Sequence, residues 1–132
     1  MRQILKHETE HLIAVIDDDA SVRAAIESLV RSLGYAVRGY ASGELFLLSG
    51  DLAHTACIVT DFQIPCGMSG LDLQDRLRSA GCTIPTIFIT AFPEAHVRAR
   101  AEAGGAIGFL PKPFDGRVLV KLLTQAMAGG RA

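Results

Sequence analysis

Five short runs of β-branched or aliphatic residues alternate along the chain with longer stretches whose apolar residues recur at helical spacing. The runs are Leu12 to Ile16, Tyr35 to Tyr40, Ala56 to Thr60, Thr86 to Thr90 and Ala106 to Leu110. The first intervening stretch, Ser21 to Leu33, sets Val22, Ile26, Leu29, Val30 and Leu33 along one stripe and ends at Gly34, which suits a helix C-cap. Further helices are expected at Ser42 to Ser49, Gly70 to Ala80, Pro93 to Ala103 and Asp115 to Met127. Strand followed by helix, five times over, leaves few topologies. Parallel strands need crossovers, crossovers are right-handed, and every helix must bury its stripe on the sheet. The expected fold class is α/β, a three-layer sandwich with a five-stranded parallel sheet between two layers of helices.

The 132 residues, 49% of them hydrophobic, suffice for one core without disulfide or metal staples. One domain is expected over residues 11–128, with a loose arm at 1–10 and a frayed end at 129–132. The arm is charged and lacks the apolar segment of a secretory signal, and the longest stretch free of Asp, Glu, Lys and Arg, Ser79 to Pro93, is too short to span a bilayer. A cytoplasmic location and no membrane partner are expected. The net charge of −1 holds no basic block, so direct nucleic acid binding by this domain is not expected either. Cys57, Cys66 and Cys82 lack the paired spacing of zinc or redox sites and read as reduced thiols, with Cys57 in the core. His7, His11, His54 and His96 show no ligand spacing.

In open parallel sheets ligands bind at the carboxyl ends of the strands, so the residues just past each run carry the functional signal. Asp17, Asp18 and Asp19 follow the first run, Asp61 the third, Thr90 ends the fourth, and Lys112 and Pro113 follow the fifth. Two carboxylates about 4 Å apart repel by roughly 4 kcal/mol at an effective dielectric near 20, so Asp17, Asp18 and Asp61 together call for a cation. Oxygen-only ligands favour magnesium or manganese over zinc. Taken singly these residues have plainer readings: an Asp triplet after a strand can serve as a helix cap, which suits Asp19, and Asp61, Thr90 and Lys112 can be surface residues. Their joint placement at four strand ends favours a functional site.

From about His11 to Met127 the chain resembles the receiver domain of bacterial two-component response regulators. The acidic pair matches Asp17 and Asp18 in Ile-Ala-Val-Ile-Asp-Asp-Asp, the phosphoacceptor Asp61 in Ile-Val-Thr-Asp, and the hydroxyl switch Thr90 in Ile-Phe-Ile-Thr-Ala. The amine matches Lys112 in Phe-Leu-Pro-Lys-Pro-Phe, and Phe109 stands at the aromatic switch position. The resemblance implies a flavodoxin-like receiver fold with strand order 2-1-3-4-5. It also implies phosphoryl transfer onto Asp61 from a phosphohistidine on a sensor histidine kinase or phosphotransfer protein. Mg²⁺ would be held by Asp61, Asp18, Asp17 directly or through water, and the backbone carbonyl of Gln63. Lys112 and Thr90 would bind the phosphoryl oxygens, and Ala91 would leave the acceptor reachable. The loop Ile64 to Gly70 carries one residue more than the family pattern Met-Pro-x-Met-x-Gly.

Two rival readings fit some of the same residues. The run Asp17-Asp18-Asp19-Ala20-Ser21 also fits the start of a haloacid-dehalogenase-type phosphatase with Asp17 as nucleophile and Asp19 as general acid, although that leaves Asp61 without a role and only Asp115 after Lys112. The other rival is a receiver-like interaction module that is never phosphorylated. Phe92 would shield an acyl phosphate from water, and Cys66 is a loop residue whose modification could shift the loop around Asp61. The fourth helix, with only Val97 as a large aliphatic anchor, should be the most weakly docked. By resemblance, the face formed by the fourth helix, fifth strand and fifth helix would pair with another receiver or an output partner.

Overall fold

The computed structural model describes residues 12–62, 67–91 and 94–129. The expected arm at 1–10, most of the expected frayed end, and Gln63, Cys66 and Phe92 lie outside these residues. The elements run β1 (Leu12–Ile16), α1 (Ala20–Ser32), β2 (Ala36–Tyr40), α2 (Gly43–Leu48), β3 (Thr55–Asp61), α3 (Gly70–Ser79), β4 (Thr86–Thr90), α4 (Ala95–Ala103), β5 (Ala106–Pro111) and α5 (Gly116–Gly129), with a 3₁₀ turn at Leu52–His54. All strands are parallel and lie in the order β2-β1-β3-β4-β5.

Alternation along the central strands sorts the core into two faces. Ile13 and Val15, Cys57 and Val59, and Ile87 and Ile89 point to the side covered by Ile26 and Val30 of α1 and Leu119 and Leu123 of α5. Ala14, Ile16 and Ile58 meet Phe46 of α2 and Leu73 and Leu77 of α3 on the other side, where Phe88 packs with Ala101 of α4. Because both faces are covered, β1 and β4 are buried at every position and read in sequence as continuous apolar runs.

Local chemistry sets the helix ends. Asp19 Oδ1 accepts from the Ser21 and Val22 amides at 2.9 and 3.3 Å and starts α1, which closes before Gly34 at φ +92°. Ser42 caps α2 through the Leu45 amide, and Ser69 and Asp72 form a reciprocal capping box on α3. α4 has no side-chain cap on Glu94 and buries one residue, Ala101, with Val97 half-buried. It is the helix least committed to the core, as its composition suggests.

Candidate functional site

The carboxyl edge of the sheet gathers three acids and an amine. Asp17 follows β1 and is fully buried, Asp61 is the last residue of β3 and nearly so, and Asp18 is exposed. One carboxylate oxygen from each lies within 4.8 Å of the other two. Lys112, just beyond β5, donates from Nζ to Asp61 Oδ2 at 2.8 Å and stands 3.2 Å from Asp17 Oδ2. The backbone places this amine: the Lys112 N–H donates to the Thr90 carbonyl at 2.9 Å, so pairing continues past the strand and turns the side chain over the sheet edge. The Lys112–Pro113 peptide is cis. Thr90 ends β4, buried, and Ala91 beside it is exposed.

Asp17 is fixed on several sides. Its N–H donates to the Tyr40 carbonyl at 3.1 Å, its own carbonyl accepts from Arg23 Nη1 at 2.7 Å, and its Oδ1 accepts from the Asp19 amide at 2.9 Å. Among the described residues the buried Oδ2 has no hydrogen-bond partner of good geometry, and the Lys112 ammonium stands 3.2 Å from it. Three carboxylates without histidine or thiol make a donor set for a hard divalent cation, and a buried oxygen balanced by one shared amine has lone pairs to offer it. Asp19 lies outside this cluster, as the cap of α1, and Asp115 pairs with Arg117 at 3.1 Å. Two of the acids that the phosphatase reading needs beside Asp17, the general acid Asp19 and an acid after Lys112, are therefore not in place.

Electrostatics follow from burial. Desolvation is the largest influence on Asp17 and raises its pKa above the ordinary value of 3.8; the Asp19 amide and Lys112 oppose this, and the charge of Asp61 adds to it. For Lys112, desolvation pulls downward, but the hydrogen bond to Asp61 and the charges of Asp17 and Asp61 outweigh it and hold the ammonium above the usual lysine value. A carboxyl whose pKa is higher folded than unfolded costs stability once ionised. That cost is absent below the unfolded pKa and grows as pH rises through the folded one. In metal-free buffer at neutral pH, Asp17→Asn is expected to melt above the wild type, with the advantage disappearing near pH 3; paired thermal melts check both halves.

Behind the acids lies an aromatic stack. Phe62, next after Asp61, stacks on Phe88 with centroids 4.5 Å apart and tilts against Phe109 at 5.9 Å. Phe109 is half-buried under α4, and Arg98 Cζ sits 4.6 Å from its ring centroid. The expected site residues Asp17, Asp18, Asp61, Thr90 and Lys112 thus share one edge, with Phe109 further along β5, whereas Gln63 lies outside the described residues. Sequence reasoning passed over Arg23, Phe62 and Arg98. Only Phe62 carried a signal, as an aromatic residue directly after the acceptor-like acid.

Comparison with known proteins agrees with the geometry. The family model described as response regulator receiver domain matches residues 13–124. Nodulation protein W of Bradyrhizobium diazoefficiens is 37% identical over 118 residues, covering 89% of this chain and 52% of that protein. Response regulator protein TodT of Pseudomonas putida is 34% identical over 125 residues, 93% of this chain and 55% of its own. The chain thus spans about half the length of these curated relatives. Among solved structures, response regulator StyR superposes with a TM-score of 0.83 at 37% identity, covering 91% of this chain and 60% of that one. A receiver protein from Burkholderia phymatum gives 0.74 at 41%, covering 89% and 94%.

Proposed function

Because the chain belongs to the response regulator receiver domain family, we propose that Asp61 accepts a phosphoryl group from a phosphohistidine on a sensor histidine kinase or phosphotransfer protein. The observation that carries this reading is the convergence of Asp17, Asp18 and Asp61 with one shared ammonium at the end of the central strand β3. A carboxylate oxygen of Asp61 forms the new P–O bond as the P–N bond to the imidazole breaks, and the electron pair of that bond stays on the ring nitrogen. The side chains supply position and charge, since phosphoryl transfer asks little covalent work beyond the nucleophile. Lys112 already stands at Asp61 Oδ2 and neutralises negative charge spreading over the phosphoryl oxygens. The Thr90 hydroxyl donates to one of those oxygens, and exposed Ala91 leaves room for the donor to approach. Asp17, Asp18 and Asp61, with the Gln63 carbonyl, would hold Mg²⁺, which supplies further positive charge where the phosphoryl group sits.

The domain turns over no external substrate beyond its own phosphorylation and dephosphorylation. Its output is a change of surface. The Thr90 hydroxyl drawn toward the phosphoryl group leaves space for Phe109 to move inward from its half-buried position under α4. The face of α4, β5 and α5, where Ile107 and Val118 are 36% and 39% exposed, then meets a second receiver or an output partner.

Electrophoresis in a phosphate-binding gel after incubation with acetyl phosphate tests the reading. A retarded band that requires Mg²⁺ and disappears with chelator is expected. An unshifted band under conditions that label a control receiver would favour the non-phosphorylated module instead. Hydrogen exchange with and without beryllofluoride tests the output: amides from Glu94 to Phe109 are expected to change more than those of α1 and α5. An equal or smaller change would rule out this route.

A further inference from the structure

The turn from β1 into α1 is held by contacts that cross the sheet edge to β2. Asp17 is fully buried, so both of its peptide groups need partners inside the protein. The Tyr40 carbonyl meets its N–H, and Arg23 Nη1 meets its C=O at 2.7 Å. Arg23 is in turn seated by Glu27, one turn further along α1, whose Oε2 lies 3.9 Å from Arg23 Nε; the two side chains are 23% and 24% exposed. The pair lies over Gly39 of β2. A Cβ built on Gly39 would overlap the Glu27 carboxylate and come within 2.9 Å of Arg23 Cδ, so the glycine is what lets both side chains lie against the strand.

On the reading that a divalent cation binds beside a phosphorylatable Asp61, we propose that Arg23 is a positioning residue for the acid pair. By fixing the Asp17 peptide it presents the Asp17 and Asp18 carboxylates toward Asp61 before any cation arrives, and Glu27 and Gly39 hold it to that task. A guanidinium suits the role, because its planar fork donates to the carbonyl through Nη1 while Nε faces Glu27; an ammonium offers no such fixed pair of directions. Acids that repel one another spread apart unless their backbone is pinned, and a cation that must gather them loses affinity to that work. Without Arg23 the buried Asp17 carbonyl lacks its donor, and the peptide turns to find another, carrying Asp18 with it.

Calorimetric titration of Mg²⁺ at constant ionic strength, alongside acetyl phosphate labelling rates across Mg²⁺ concentrations, tests this. Arg23→Gln and Gly39→Ala are each expected to raise the Mg²⁺ Kd about tenfold, the scale on which supporting residues act on a metal site, with Arg23→Lys between them and the wild type. Labelling should recover at saturating Mg²⁺. An unchanged Kd in folded Arg23→Gln overturns the proposal, as does labelling that stays low at saturating Mg²⁺ with Kd unmoved. Circular dichroism and thermal melts establish folding. If Arg23→Gln does not fold, Glu27→Gln carries the test, with a roughly threefold rise in Kd expected and no rise overturning it. A wild type that binds Mg²⁺ but takes no label would defeat the phosphoacceptor reading alone, since the effect of Arg23 is read from Kd.

Discussion

Asp61→Asn is expected to take no label from acetyl phosphate and Mg²⁺ while folding as the wild type does. The substitution keeps the shape of a nearly buried side chain whose Oδ2 accepts from the ammonium of Lys112, so packing at the end of β3 is preserved. What it removes is the anionic oxygen that must bond to phosphorus. A carboxamide oxygen is so much poorer a nucleophile that a raised barrier of about 4 kcal/mol or more, a thousandfold in rate, is the expected minimum. The same variant should be more stable than the wild type by about 1 kcal/mol without metal, because one of three crowded negative charges is gone while Lys112 still faces Asp17. Intact mass and peptide mapping check the first outcome and denaturant titration the second. Label appearing on Asp17 or Asp18 would move the acceptor.

Gly70→Ala is expected to be the most damaging small substitution near the site. A Cβ on Gly70 would overlap the backbone carbonyl of Asp61 and lie 3.1 Å from Phe88 Cε1, and the Gly70 amide is already tied to the Phe62 carbonyl at 2.9 Å. Backbone stands on the crowded side, so no side chain can swing away. Alanine gains about 1 kcal/mol in helix propensity, yet the forced separation of α3 from β3 should cost about 3 kcal/mol and outweigh it. Labelling should fall too, because the displaced carbonyl belongs to the acceptor residue. Gly116→Ala provides the contrast: its Cβ would meet Leu29 Cδ2 at 3.5 Å, an ordinary contact, and stability should hold or rise slightly. Urea titrations of the two variants test the pair; equal stabilities would show that the helix has room to move off the strand.

Much of this architecture is legible in one dimension because strand and helix periods alternate cleanly. All five strands and five helices stand where their apolar patterns place them, with ends displaced by a residue or two. Those displacements have local causes: Ser42 serves as a cap outside α2, and β3 continues through Asp61 because that residue still pairs with Ile89 of β4. The site was legible for a related reason, since each polar residue in question follows immediately on an apolar strand. The supporting groups were not. Arg23 acts on a carbonyl six residues back, Gly39 matters because of what lies over it from α1, and Arg98 meets Phe109 from another element. Those meetings exist only once the layers have assembled, and no spacing in the sequence announces them.

β5 forms one of the two outer strands of the sheet, and its six residues, Ala-Ile-Gly-Phe-Leu-Pro, carry no charge. An apolar outer strand is a template on which another chain can pair, and proteins guard such strands with proline, brevity and nearby charge. Here Pro111 ends the strand, and the charge comes from outside it, as Arg98 laid across Phe109. That guard rides on α4, the helix least tied to the core. Freedom for α4 to shift and protection of β5 against self-association are thus opposed requirements placed on the same nine residues. Substitutions that loosen α4 to favour signalling should shorten the protein's shelf life at high concentration, and those that clamp it should lengthen shelf life at the expense of response.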